Sequence, residues 1–281
     1  MSSTVSIPKQ LGFGQTTRSD VWWMQPIAVF IGFSAFIVYS TWVAFQGTDL
    51  NHTYFWYGGA NGGGADYLSP FYSPQLFGSY DHPGFFGTIP SWWPTFLPYS
   101  PAFLIMWVPA GFRFTCYYYR GAYYKAFWLD PVNCAVGEPR KGYLGEKYLP
   151  LVIQNCHRYF LYLALTYIFI LGRDAFDGLW FTDASGTAHF GVAIGSLILI
   201  VNVYLLAGYT LGCHSLRHLV GGFLDAKSKS SACSTCYNAV SCLNKRHMLW
   251  AWMSLFWVGF TDVYIRLCAM GIWHDFHLFI F

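Results

Sequence analysis

The residues best equipped for chemistry gather in a few short stretches. LGCHSLRHLVGG, Leu211 to Gly222, packs Cys213, His214, Arg217 and His218 into about two helical turns behind an unbroken apolar run. Cys116 lies in RFTCYYYR, His157 follows Cys156 in QNCHRYF, and His247 stands in KRHMLW. Thiolate and imidazole are ligands for soft and borderline metals, iron–sulfur clusters among them, and imidazole pairs hold haem. The chemistry to expect is therefore a metal centre, provided that the surrounding elements bring these side chains to one level.

Those elements are membrane helices. Of 281 residues, 55% are hydrophobic and only 10% charged, where soluble domains carry roughly 25% charged residues. The mean hydropathy of +0.35 agrees. Aromatics make up 21%, as expected where Trp and Tyr line membrane interfaces. The net charge of +3 gives no reason to expect nucleic acid. The polar start MSSTVSIPKQLGFGQTTRSD lacks the apolar core of a signal peptide, so the first spanning helix is expected to act as its own insertion signal.

A bilayer core takes about 20 apolar residues as helix. Five runs qualify: Trp22 to Phe45, Pro101 to Tyr124, Cys156 to Leu171, His189 to Cys213 and Met248 to Ile272. Pro109 and Gly111 are expected to kink the second. The fold expected is an all-α bundle of five transmembrane helices, one domain over residues 1–281, with no internal repeat.

Orientation follows from Lys and Arg. None occurs between Asp20 and Phe112, an interval that holds the whole loop 46–98. The loop 125–155 carries Lys125, Arg140, Lys141 and Lys147; the loop 219–246 carries Lys227, Lys229, Lys245 and Arg246. The N-terminal segment 1–21, with Lys9 and Arg18, and those two loops are therefore expected on the cytoplasmic side. The loop 46–98 and the C-terminal HDFHLFIF face outward. So many aromatics in the 46–98 loop would not stay in water, and an ordered cap folded onto the bundle is expected.

With depths assigned, the ligands fall in one layer. Cys116 lies near the inner end of helix two, Cys156 and His157 start helix three, Cys213, His214 and His218 end helix four, and His247 starts helix five. A lone helical Cys is more often a small hydrophobe, the reading given to Cys134, Cys156 and Cys268, and a lone interfacial His is often only a polar tip. Four helices contributing at one level weaken that reading. His52, His82, His189, His274 and His277 lie on the outer side and read as surface residues.

Two centres fit. A bis-His haem b needs two facing imidazoles, His157 with one of His214, His218 or His247. A Rieske-type 2Fe-2S cluster needs two Cys and two His, and one ligand per helix gives Cys116, His157, Cys213 and His247. On a continuous helix His214 and His218 share a face, about 40° apart, while Cys213 points about 100° from His214. The helix-four set therefore cannot all address one atom.

Other groups carry weaker signals. Cys233 and Cys236 form a C-x-x-C, with Cys242 nearby; without a second pair they read as thiols of a surface loop, with zinc or a disulfide the sharper alternative. Asp262 precedes Arg266 by four residues inside helix five, and an ion pair is favoured over a proton path. Arg113, one turn before Cys116, neutralises a centre or snorkels to the surface.

The segments GFRFTCYYYRGAYYKAFW (Gly111 to Trp128), QNCHRYFLY (Gln154 to Tyr162), CHSLRH (Cys213 to His218) and RHMLWAW (Arg246 to Trp252), in that order, resemble the membrane-anchor subunit of actinobacterial-type succinate dehydrogenase. YLSPFYSP, Tyr67 to Pro74, fits as well. The resemblance implies a respiratory complex II in a bacterial inner membrane. There a flavoprotein oxidises succinate, an iron–sulfur subunit relays electrons, and the anchor passes them to a quinone, menaquinone or ubiquinone. Succinate chemistry lies on another subunit. Haem b is common in the wider family, and in this branch a Rieske-type cluster takes its place. Cys156 departs from the pattern, at a position where an apolar residue is expected. By depth and residue type, Arg217, Tyr118, Trp250 and His218 become candidate quinone neighbours. The partners implied are the flavoprotein and iron–sulfur subunits, membrane lipid and a homo-oligomer of the whole complex.

Two other classes remain open at this stage. A small-solute transporter would need paired broken segments and mid-membrane charge, and the sequence offers only Asn202 and Asp262. A cofactor-free structural anchor would share the partners and lack the centre.

Overall fold

The computed structural model describes residues 12–46, 54–58, 65–78, 84–140, 147–149, 151–183, 185–222 and 231–281. His52, His82, Lys9, Lys141, Lys227, Lys229 and the matching parts of the segments 1–21, 46–98, 125–155 and 219–246 lie outside the described residues. Among the described residues four helices are long and apolar enough to cross a membrane: Met24–Phe45, Leu151–Asp177, Ile194–Leu211 and His247–Ala269.

In chain order the helices are α1 (Met24–Phe45), α2 (Pro101–Ile105), α3 (Trp107–Phe114), α4 (Tyr117–Ala122), α5 (His157–Asp177), α6 (Ile194–Leu211), α7 (His214–Gly221), α8 (Ser231–Asn244) and α9 (His247–Ala269). A π-helical turn, Tyr123–Trp128, extends α4, and a 3-10 turn, Leu151–Cys156, leads into α5. The short strands are β1 (Trp56–Tyr57), β2 (Tyr67–Leu68), β3 (Trp180–Thr182), β4 (Ala188–Ala193) and β5 (His277–Ile280).

The run read as the second span is in pieces. A proline has no N–H and crowds the carbonyl four residues before it. Pro109 thus acts on Ile105, where α2 ends; the chain resumes as α3 at Trp107. The second break, at Thr115 and Cys116, leaves Cys116 extended (φ −66°, ψ 127°). The run read as the fourth span also differs. Residues 188–193 alternate in exposure and form β4 rather than helix. β4 pairs antiparallel with β3 and β5, giving the sheet order β3-β4-β5. The third corrected element is α8, a helix where a surface loop was expected, with Cys233, Cys236 and Cys242 on it. No disulfide joins any of the eight cysteines, all of which lie among the described residues.

The chain forms two compact units, residues 1–35 with 114–155, and residues 36–113 with 156–281. In the first, Phe33 packs edge-on against Tyr119 (5.0 Å) and near Tyr123 and Phe127. The segment before α1 is tied to the stretch after the π turn. Gly14 N donates to Gly137 O, Thr16 Oγ1 to Ala135 O, and Asn133 Nδ2 to Trp22 O.

The second unit is organised around α6, which packs against both α5 and α9. α6 and α9 run antiparallel: Tyr209 near the end of α6 stacks on His247 at the start of α9, while Ile198 O accepts from Trp257 Nε1. Gly208 makes the close approach possible, since a Cβ there would lie 2.7 Å from the Trp250 ring. At the other end, the β1–β2 segment and the residues after it are pinned by three carboxylates. Asp262 accepts from Ser69 Oγ and from Tyr39 OH (2.5 Å). Asp275 accepts from Tyr67 OH and Tyr264 OH, both at 2.7 Å, and Asp174 accepts from Ser73 Oγ. Leu68, Phe71 and Tyr72 of that stretch join Val43, Phe55 and Ala102 in one apolar cluster.

Candidate functional site

In the second unit the site is built where α5 and α9 begin and α6 ends. α6 stops at Leu211, and the chain bends at Gly212. Cys213 then stands extended as the N-cap of α7, its sulfur accepting from Ser215 N at 3.3 Å. The bend buries Cys213 while leaving the next residue, His214, exposed. The continuous helix assumed for residues 211–218 is therefore replaced by two helices with a turn between them.

His157 is the first residue of α5, and its Nε2 lies 3.0 Å from Cys213 Sγ. The Phe112 ring lies flat against the His157 imidazole at 4.7 Å, interplanar angle 7°. Phe112 also meets Tyr209 edge-on at 5.3 Å, and Tyr209 stacks on His247 at 5.0 Å. His157 and His247 thus flank one aromatic pair, Phe112 and Tyr209. Both imidazoles are buried, at 8% and 1% exposure, and Cys213 at 1%. Gly212 lets the bend pass close by, since a Cβ on it would come within 3.3 Å of His247 Nδ1.

Arg113 reaches in from α3. Its guanidinium lies over the Tyr209 ring at 4.8 Å, Nη1 donates to Ala251 O at 3.1 Å, and Nη2 donates to Ser254 Oγ at 2.9 Å. The half-buried Arg113 therefore sets a positive charge beside Tyr209.

The other candidates lie elsewhere. His218 is exposed and within 3.2 Å of Arg158 Nη2. Arg217 donates from Nε to Ser241 Oγ at 3.0 Å and stacks on Tyr237 at 5.1 Å, which ties α7 to α8. Trp250 sits on α9 against Gly208 and Tyr204, its indole N–H buried and meeting no hydrogen-bonding group among the described residues. Cys116 and Tyr118 belong to the first unit, where Cys116 is buried and Tyr118 is 39% exposed. Cys156 is exposed. Among the described residues no three His, Cys, Asp or Glu side chains converge as a metal site. His157 with Cys213 is a pair, and His247 joins it through the aromatic residues.

Sequence reasoning missed Phe112 and Tyr209, which set the two imidazoles. A signal for Tyr209 was available: it stands four residues before Cys213, on the face of α6 that continues toward the bend.

The sequence model of actinobacterial succinate dehydrogenase subunit SdhC matches residues 24–271. Among solved structures, a chain of the Mycobacterium smegmatis Sdh1 complex in the apo form is similar. It is 38% identical with a TM-score of 0.82, over 99% of this chain and 100% of that one. Among curated proteins nothing matches.

Proposed function

The chain belongs to the actinobacterial succinate dehydrogenase subunit SdhC family, and on that premise we propose that it anchors a succinate:quinone oxidoreductase and passes its electrons to quinone. The reading extends to a bacterial inner membrane, with α5 and α9 beginning at the cytoplasmic side. The flavoprotein and iron–sulfur subunits dock on that side. Family membership leaves the transporter reading without support.

The observation that carries the electron-transfer role is the buried pairing of His157 with Cys213, and of His247 with Tyr209, at one end of the second unit. Imidazole and thiol in a dry, aromatic surround are the donors of a mixed Cys/His centre. Cys116, His157, Cys213 and His247 would hold a Rieske-type 2Fe-2S cluster, two thiols and two imidazoles, and such a cluster supplies one-electron transfer. His157, Cys213 and His247 suit it by donor type and burial, and Cys116 enters the set on the sequence reading.

The chain's own groups have definable parts. Phe112 and Tyr209 fix the two imidazole planes and exclude water from them. Arg113 offsets negative charge arriving beside Tyr209. The Trp250 indole N–H is a buried donor suited to a quinone carbonyl, while Arg217 and Tyr118 stay quinone candidates by residue type alone. His214 and His218, exposed on α7, fall to an outer role: contact with the partner subunit or proton delivery.

The test is an EPR spectrum of the reduced, purified complex with a visible spectrum of the same sample. A Rieske-like signal without haem bands is expected. Cys116→Ser, His157→Ala and Cys213→Ser should each abolish it while the anchor still inserts and co-purifies with the flavoprotein. Haem bands without that signal would make the histidines axial ligands. A sample with neither would leave a structural anchor.

A further inference from the structure

The face of α9 that begins at His247 continues as a polar stripe. His247, Ser254, Thr261 and Cys268 recur every seven residues, all at 3% exposure or less. Small polar residues at this spacing are ordinary in packed membrane helices, and the stripe by itself asks for no ligand. Thr261 is accounted for by its own helix, donating to Trp257 O at 2.9 Å.

Asn202 is different. It sits midway along α6, 1% exposed, and neither its Oδ1 nor its Nδ2 meets a hydrogen-bonding group among the described residues. Its aim follows from the register of the two helices. Tyr209 stacks on His247, and Ile198 O accepts from Trp257. Asn202 lies seven residues before Tyr209, and Ser254 seven after His247, so antiparallel packing sets the two at the same level. Asn202 is also one turn beyond Ile198 on the α9-facing side. Ser254 has room for another partner. Its hydroxyl donates to Ala251 O at 3.3 Å and accepts from Arg113 Nη2 at 2.9 Å. A hydroxyl oxygen has two acceptor sites, so one remains.

An amide with both ends unbonded is rare in a protein interior and rarer in a bilayer, where no bulk water relieves it. The missing partner must both donate and accept, must be small, and must be uncharged, because one amide and one hydroxyl do not offset the cost of desolvating an ion in a buried seam. Water meets those conditions, and buried water typically bridges two to four polar groups.

We propose that the α6–α9 seam binds water at Asn202. The water accepts from Asn202 Nδ2 and donates to Ser254 Oγ, and further water satisfies Oδ1. The site thereby hydrates the Ser254–Arg113 pair from behind and links α3, α6 and α9 by one polar cluster. The proposal is independent of which cofactor the protein holds.

The experiment uses the purified complex. Asn202→Leu, Ser254→Ala and the double variant are compared by thermal unfolding. If Asn202 holds water against Ser254, Asn202→Leu lowers the melting temperature, by about 2–4 °C for one such bond. The double variant then loses less than the two single losses added together. If the amide is simply unsatisfied, Asn202→Leu raises the melting temperature or leaves it unchanged, and the proposal fails. Should Asn202→Leu not assemble, density decides in the unaltered complex at a resolution that shows ordered water. Water within hydrogen-bond distance of the amide supports the proposal. A direct bond from the amide to protein, a dry apolar contact, or density for a quinone ring or acyl chain overturns it.

Discussion

At the scale of single residues, the site depends on how closely α6 and α9 approach. Gly208 faces the Trp250 ring so closely that an added Cβ would stand 2.7 Å from one ring carbon and 2.9 Å from another. The obstacle is a rigid indole, which also meets Tyr204, one turn from Gly208 on the same helix, at 5.6 Å, so an added methyl has to displace a ring rather than the end of a flexible chain. Gly208→Ala should therefore destabilise the anchor by about 1–3 kcal/mol, the range for overpacking. A smaller ring in Gly208→Ala with Trp250→Phe should recover part of that loss. Thermal unfolding of the purified complex checks both, and an unaltered melting temperature for Gly208→Ala would show that the indole moves aside freely. This constraint was hidden in the sequence, because a glycine in a membrane helix carries no mark of what it faces. His157, Cys213 and His247 were legible, since residue type and depth alone put them in one layer. His214 and His218 stand exposed on α7, and the bend at Gly212, which no residue type announces, separates them from the helix that carries Tyr209.

At the scale of elements, the most consequential polar cluster outside the site is the one that pins residues 67–73. Asp262 is wholly buried on α9, with Arg266 Nε at 3.3 Å, Tyr39 OH at 2.5 Å and the Ser69 hydroxyl on it. Arg266 Nη2 donates to Tyr72 OH at 3.1 Å, and its guanidinium lies over the Trp42 ring at 5.3 Å. Burial holds the Tyr67 and Tyr72 hydroxyls well above the usual phenol range, so both stay protonated donors at any physiological pH. Removing one member of a buried ion pair costs about 3–5 kcal/mol, whereas replacing both with apolar residues is often far milder. Asp262→Ala should thus be the more damaging change, and Asp262→Leu with Arg266→Leu the less. Protease sensitivity of the 67–78 stretch reports the same order; equal damage from both would reduce the cluster to packing. The i,i+4 spacing announced this ion pair, but nothing local announced Ser69 and Tyr39, which come from other elements far along the chain. The same limit explains β4. Its six residues are apolar enough to pass for the start of a span, and only pairing with β3 and with the distant β5 makes them a strand. Pro109 interrupts its run only at Met106, a single residue that keeps right-handed helical angles, whereas no proline announces the second interruption, at Thr115 and Cys116.

At the scale of the whole molecule, the proposed function requires a definite sidedness. The His157–Cys213 end must face the compartment where the soluble subunits dock. The charge pattern argues for it: the interval from Val21 to Phe112 holds no Lys or Arg, while Lys125, Arg140, Lys147, Lys245 and Arg246 flank the other connections. The distribution of natural thiols makes the assignment testable with little engineering. Cys236 and Cys242 are exposed on α8, and Cys116, Cys213 and Cys268 are buried. Phe85, in the segment without positive charge, is 82% exposed. With the exposed native cysteines replaced by serine, Phe85→Cys should react with a membrane-impermeant maleimide on intact spheroplasts. In a chain keeping only Cys236 and Cys242 among its exposed thiols, reaction should require permeabilised membranes. Because docked subunits on the α8 side would shield those thiols, labelling there should also rise when the soluble subunits are stripped from the membrane. Labelling of Cys236 and Cys242 on intact spheroplasts would invert the topology. The His157–Cys213 end would then face away from the electron source, and the proposed electron path would fail with it, whatever spectrum the complex displays.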